Sequence, residues 1–256
     1  MTERAPLRLH VEADLVAGAS LALEESQARY VRTVMRRESG DPILFFNGRD
    51  GEWRARLAIE GKGRVTAVLE RQTRGQEVPV DLWLVPALLK RGPMELVVEK
   101  ATELGVAEIH PVKTRRTVID RLNAERMRAI AIEAAEQCGR LAVPRLAPAA
   151  ALDAVLASWP HGRRLLICDE SGVSPPIAAT LAGLDDSAER APWAVLVGPE
   201  GGFERSELDA LKKLPFVTPV ALGHHLLRAE TAALAALACW QALVGAWARP
   251  RAGSAD

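Results

Sequence analysis

Two short segments toward the C-terminus combine residue types that can build a small-molecule site largely from main chain. They are Leu196-Val-Gly-Pro-Glu-Gly-Gly-Phe203 and Leu222-Gly-His-His-Leu-Leu-Arg-Ala-Glu-Thr-Ala232. Each ends an apolar, strand-like run in a glycine-bearing loop and then enters a helix-like run. Gly198, Gly201, Gly202 and Gly223 allow backbone to approach a ligand where a Cβ would collide. Parallel strands present their C-terminal ends on one edge of a sheet, so two such loops can line one pocket. Arg228 and Glu230 stand beside the second loop, and Glu200 lies within the first. A plain helix start has little need of both an arginine and a glutamate next to a glycine loop.

Other sources of chemistry are missing. The sequence has no GxGxxG after a strand, no GxxxxGK[ST], no HExxH and no GxSxG, which removes the usual dinucleotide, polyphosphate, zinc and serine-hydrolase readings. His110, His161, His224 and His225 complete no metal-ligand spacing, so no metal is expected. Cys138, Cys168 and Cys239 are far apart and odd in number, which fits a reducing compartment better than a disulfide framework.

The elements that must position these loops follow from periodicity. Short strand candidates at 43–46, 53–59 and 64–69 are punctuated by Ser39-Gly-Asp-Pro42, Asn47-Gly-Arg-Asp-Gly51 and Gly61-Lys-Gly63, the spacing of a small β-barrel over residues 1–75. Residues 71–79 read as a polar linker. From residue 78 to 248 strands and helices alternate: a strand at 80–85, a helix with Pro93 in its first turn ending at Gly105, and a strand at 107–112. A helix from Asn123 to Gly139 follows, with strands at 164–168, 193–197 and 217–222 and a last helix from Ala229. That order predicts an α/β layer on a parallel sheet.

The chain has 256 residues with 33 basic and 33 acidic side chains, so bulk charge neither demands nor excludes a polyanion. The start of the sequence has no signal-peptide core, and a cytoplasmic location is expected. The stretch 232–248 is apolar, with Gln241 its one strongly polar residue. It is alanine-rich, and it reads as a buried or subunit-interface helix rather than a membrane span.

Several segments in order resemble the RsmE family of SPOUT methyltransferases. They are Leu89-Lys-Arg-Gly-Pro-Met-Glu95, Glu99-Lys-Ala-Thr-Glu-Leu-Gly-Val106, Glu133-Ala-Ala-Glu-Gln-Cys-Gly-Arg140 with Pro144, and the two glycine loops. The resemblance implies a SPOUT-type parallel sheet with a C-terminal trefoil knot, preceded by a PUA-like RNA-binding barrel. It implies S-adenosylmethionine held by loops near 167–170, 197–202 and 222–232. The cofactor-binding residues would be Val197, Gly198, Glu200, Gly201, Gly202, Leu222, Gly223, Leu226, Leu227, Thr231 and Ala232. The family acts as a homodimer that methylates N3 of a uridine, position 1498, in 16S rRNA of the 30S ribosomal subunit.

Methyl transfer to uracil N3 needs an in-line arrangement and loss of the N3 proton. Arg228 reads as a cation favouring the deprotonated base, or else as a partner in a salt bridge to Glu230 or Glu200. Glu230 reads as a base, as the holder of a water that serves as one, or as a first-turn glutamate complementing the helix dipole. For RNA, Arg29, Arg32 and Arg36 fall on one face of a helix spanning 27–37, with Val31, Val34 and Met35 on another. Arg115 and Arg116, with Lys113 and Arg121, form a second basic cluster; either cluster is also readable as a solvated face. Two other functions compete: a ribose 2′-O-methyltransferase, disfavoured by Ala101-Thr-Glu-Leu-Gly105 on the first helix, and a noncatalytic RNA-binding protein.

Overall fold

The computed structural model describes residues 6–60, 64–185, 187 and 191–248; the expected turn at Gly61-Lys62-Gly63 lies outside them. The chain forms two compact units. One comprises the described residues up to Val78 together with Ala135–Val143, the other Pro79–Ala134 and the described residues from Pro144 onward.

In the first unit, β1 (Leu7–His10), β3 (Pro42–Phe46), β4 (Glu52–Glu60), β5 (Arg64–Arg74) and β2 (Ser20–Ala22) lie side by side in the order β1-β3-β4-β5-β2. The β1–β3 pair is parallel and the other pairs are antiparallel. Alternation places Val65, Ala67 and Leu69 of β5 inward with Ala55 and Leu57 of β4, Ile43 and Phe45 of β3, as a two-residue period requires. β5 continues to Arg74, so the polar stretch 71–79 begins inside a strand and is not a linker from its first residue.

The expected helix over 27–37 is broken. α1 (Glu25–Arg29) passes into a π-helical turn, Tyr30–Val34, and Arg36 takes a left-handed φ of 49°. Met35 N–H reaches back to Tyr30 O at 3.0 Å. Val31 is fixed in the core at 0 % exposure, and the wide turn after it swings Val34 out to 62 %. Arg29 and Arg32 are exposed on this segment, but Arg36 has left the helix, so the three arginines do not share one helical face.

Arg8 of β1 organises the part of this unit contributed from farther along the chain. Its guanidinium donates to the carbonyls of Ala135 (2.9 Å), Glu136 (2.9 Å) and Arg140 (2.8 Å). It also pairs with the buried Glu52 at 2.8 Å and lies 4.6 Å from the Phe46 ring centre. Arginine at a helix C-terminus satisfies carbonyls that have no partner within the helix.

The second unit is built on six parallel strands in the order β13-β11-β12-β6-β7-β9. These are β6 (Leu82–Pro86), β7 (Glu108–Ile109), β9 (Arg145–Leu146), β11 (Arg164–Cys168), β12 (Trp193–Val197) and β13 (Val217–Val220). The expected strand at 107–112 is divided at Pro111, which has no N–H to give a ladder. Its second part, β8 (Val112–Lys113), pairs instead with β10 (Ala150–Ala151). The helices are α2 (Arg91–Glu103), α3 (Ala124–Cys138, of which the last turn from Ala135 belongs to the first unit), α4 (Leu152–Ala157), α5 (Ile177–Ala182), α6 (Arg205–Leu211) and α7 (Ala229–Leu243). Asn123 Oδ1 accepts the Arg126 N–H at 2.9 Å, the N-cap arrangement read from sequence.

By length and composition 229–248 passes as a membrane span, but its buried amide shows what it does in this fold. Gln241 is 2 % exposed. It donates to Leu104 O at 2.6 Å at the end of α2 and accepts the Ala246 N–H at 3.0 Å. Gly105, at φ 85°, makes room for it: a Cβ there would lie 2.9 Å from the Gln241 amide. A buried amide with both ends satisfied ties α7 to α2.

Arg8→Ala is expected to lower the free energy of unfolding by about 3 kcal/mol, because it strips three carbonyls of a donor and leaves the buried Glu52 with Thr73 and the more distant Arg74 alone. Arg8→Lys, which keeps charge but not the fork, should recover less than half. Urea denaturation at pH 7 reads both; a loss under about 1 kcal/mol for the alanine variant would show that Arg8 is not a main tie.

Candidate functional site

From β6 the chain moves outward through β7 and β9, while β12, β11 and β13 lie on the other side of β6. Strand order therefore reverses between β6 and β12, where open parallel sheets leave a crevice beyond their carboxyl ends. A cleft of about 990 Å³ lies there. It is walled by the loops that follow β11, β12 and β13, with Lys90 and Pro93 from the start of α2.

The loop after β11 is held by Asp169, which is 4 % exposed. Its carboxylate accepts from Lys212 Nζ at 2.6 Å, Ser171 N at 2.8 Å, Ser171 Oγ at 2.9 Å and the Ser174 hydroxyl. Burial opposes ionisation, but Lys212, Ser174 and Ser171 outweigh it and bring Asp169 down to about 2. Next to it, burial and then Cys239 push the Cys168 thiol up to about 12, so Cys168 lines the cleft as a neutral thiol and not as a nucleophile.

The loop after β12 turns through Gly202, at φ 67°, whose N–H bonds Pro199 O at 2.9 Å. At Gly198 a Cβ would come within 3.0 Å of the Phe203 ring, so the main chain lies against the aromatic face. Glu200 Oε1 accepts the Lys90 N–H at 3.3 Å. In the loop after β13, His224, His225 and Leu226 are exposed at the rim, and Arg228 is the N-cap of α7.

Most of the residues expected at the site come together. Val197, Gly198, Glu200, Leu222, Gly223, Leu226, Leu227, Arg228, Glu230 and Ala232 all line the cleft. Gly201, Gly202 and Thr231 do not. Gly201 faces Arg116, Gly202 faces the Glu170 carboxylate, and Thr231 points to the exposed side of α7. Gly202 serves the shape of the loop rather than its ligand-facing surface. Among the described residues the Arg228 side chain makes no hydrogen bond or ion pair, so neither Glu200 nor Glu230 holds it in a salt bridge.

Phe203 and Lys90 belong to the cleft although the sequence assigned neither a role of its own, and Asp169 was expected there only as part of the loop near 167–170. The signal for Asp169 was its place at the end of a strand, two residues from Ser171; its partner Lys212 is not predictable from spacing. Arg115 and Arg116 sit beside the β12 loop, and both have partners. Arg115 donates to Ser206 Oγ at 2.6 Å and Glu204 at 3.2 Å, and Arg116 donates to Gly201 O at 3.1 Å. Among the described residues no group of three or more His, Cys, Asp or Glu side chains could hold a metal ion.

A family model described as RNA methyltransferase domain matches residues 76–241, and one described as RNA methyltransferase PUA domain matches 23–70. The chain is 30 % identical to the ribosomal RNA small subunit methyltransferase E of Rickettsia conorii over 232 residues, 90 % of this chain and 93 % of that one. It is 32 % identical to the protein of the same name from Synechocystis over 240 residues, 93 % and 78 % of the two chains. The structure of ribosomal RNA small subunit methyltransferase E from Neisseria gonorrhoeae bound to S-adenosyl methionine is similar, with TM-score 0.81 and 28 % identity. It covers 93 % of this chain and 98 % of that one. A Legionella pneumophila methyltransferase in complex with the same cofactor gives TM-score 0.80, 29 % identity and the same coverage.

The Asp169 anchor has a pH signature. A depressed carboxylate contributes stability that is complete above its unfolded value near 4 and is lost as pH falls through about 2. Asp169→Asn should therefore cost about 2 kcal/mol at pH 7. The gap to the parent should close between roughly pH 4 and pH 2. Urea unfolding across that range checks it, and a gap independent of pH would rule out the ionised carboxylate as the source.

Proposed function

The chain belongs to the ribosomal RNA small subunit methyltransferase E family, and from that premise we propose that it methylates N3 of uridine 1498 in 16S rRNA, using S-adenosylmethionine. Within this reading residues 1–75 form a PUA-like barrel that grips RNA. Residues 78–248 form the methyltransferase domain, with its cofactor loops drawn into a trefoil knot. The enzyme works in the cytoplasm on the 30S subunit as a homodimer. The outer side of α7, where Leu234, Ala238, Cys239 and Leu243 are partly or fully exposed, supplies the apolar surface for pairing.

The cleft residues fit the cofactor. A volume of about 990 Å³ is at the upper end of the range of small-molecule sites. Its walls offer main-chain groups of three loops, an apolar floor that includes Leu222, Leu227 and Phe203, and carboxylates at Glu170 and Glu200. Such a donor set suits a ligand carrying an adenine, an ammonium and a sulfonium. When bound, the cofactor supplies an electrophilic methyl group.

The observation that carries the reading is Arg228, a cation at the mouth of this cleft with no partner among the described residues. Its guanidinium holds the uracil edge and favours the N3 anion. Glu230, two residues on and lining the same cleft, receives the N3 proton directly or through a water. The loops after β12 and β13 hold the reacting groups in line, which supplies much of the acceleration.

Labelled S-adenosylmethionine incubated with 30S subunits lacking N3-methyluridine, followed by nucleoside mass spectrometry, tests this. N3-methyluridine at a single position is expected; a 2′-O-methyl nucleoside, or none, would overturn the assignment. Arg228→Ala should lower kcat by at least about 100-fold. Cofactor Kd, read by calorimetry, should stay within about threefold.

A further inference from the structure

Arg115 and Arg116 occupy a turn that is attached to the cofactor side of the cleft more firmly than a merely solvated basic face would be. Thr114 and Thr117 close the turn on itself. Thr114 N donates to Thr117 Oγ1 at 2.9 Å, the two hydroxyls are 2.9 Å apart, and Thr117 N donates to Thr114 O at 3.1 Å. The turn is then pinned from below. Arg115 N donates to Glu207 Oε1 at 3.1 Å, and Glu207 is only 7 % exposed. The Arg115 guanidinium spans Ser206 and Glu204 at the start of α6. With the turn fixed there, the Arg116 guanidinium reaches Gly201 O at 3.1 Å, in the loop whose Gly198 and Glu200 line the cleft.

We propose that Arg116 is a positioning residue that couples RNA binding to the grip of the β12 loop on the cofactor. The inference rests on the reading of the cleft as a cofactor site serving an RNA substrate. A guanidinium has five N–H donors, and among the described residues the Gly201 carbonyl is the hydrogen-bond partner of Arg116, with the Glu204 carboxylate near enough to feel its charge. Ordering an exposed arginine for one hydrogen bond to a neutral carbonyl is close to break-even, because lost side-chain freedom offsets the bond. An RNA phosphate engages the remaining donors bidentately, orders the side chain, and so strengthens the bond to Gly201 at no further entropic cost. The loop that carries Gly198 and Glu200 is then fixed when RNA is present. By thermodynamic reciprocity the cofactor tightens RNA by the same factor as RNA tightens the cofactor.

The test measures S-adenosylmethionine Kd with and without saturating unmethylated 30S subunits, for the parent, Arg116→Ala and Arg116→Lys. RNA should tighten the cofactor about fivefold or more in the parent. In Arg116→Ala the ratio should fall to about one, whatever happens to either affinity alone, and a purely structural role would leave the ratio intact. Arg116→Lys keeps the phosphate attraction but not the fork, so it should bind 30S subunits within a fewfold of the parent and still lose the coupling. A parent that methylates 30S subunits with a ratio of one, or an alanine variant with the parental ratio, overturns the proposal. A parent that methylates no RNA brings down the functional reading and this inference with it.

Discussion

The all-parallel pairing of the six-stranded sheet is the constraint on which the site depends. Parallel strands must be joined by crossovers, and crossovers leave every strand running the same way. The loops after β11, β12 and β13 therefore emerge side by side, though β11 and β13 are about fifty residues apart in sequence. Each of the three loops is also held from outside itself. Lys212 beyond α6 steadies the loop after β11, the Thr114–Thr117 turn touches the loop after β12, and α7 carries the end of the loop after β13. The cleft surface combines main chain and apolar side chains with a few charged groups, while Lys212 and the Thr114–Thr117 turn support it from outside the lining.

Much of this was legible in the sequence. Glycine loops at strand ends, a cap at Asn123, a stop at Gly105 and the apolar run of α7 are local signals, and local chemistry decides them. What failed to show was long-range. Nothing in the spacing around residue 30 announces a π-helical turn; that turn depends on Val31 being locked in a core made by strands elsewhere. Pro111 is visible as a strand breaker, yet only the fold shows that β8 leaves the main sheet to pair with β10. Thr231 looked equivalent to Ala232, but one residue of helix is a rotation of roughly 100°, enough to turn it out of the cleft. Partners such as Lys212 for Asp169 are set by tertiary packing alone.

Gln241 and Asp169 illustrate how polar groups inside this unit avoid the usual cost of burial. Each has its hydrogen-bonding capacity met at both ends or at both oxygens. Each also joins elements that are distant in sequence, so the same bonds that offset desolvation fix tertiary geometry. An apolar residue at either place would pack but would not tie one element to the other.

The segment 135–143 sets an order of events during synthesis. It belongs with the described residues up to Val78, but residues 79–134 come between the two in the chain. A nascent chain grows at roughly 5–20 residues per second, so the N-terminal strands leave the ribosome several seconds before the carbonyls that Arg8 binds. During that interval Arg8 lacks those carbonyls and keeps Glu52, which Thr73 and Arg74 also hold. The N-terminal unit cannot reach its final state first and independently; its last piece arrives with α3, and the vectorial folding of one unit is interleaved with that of the other.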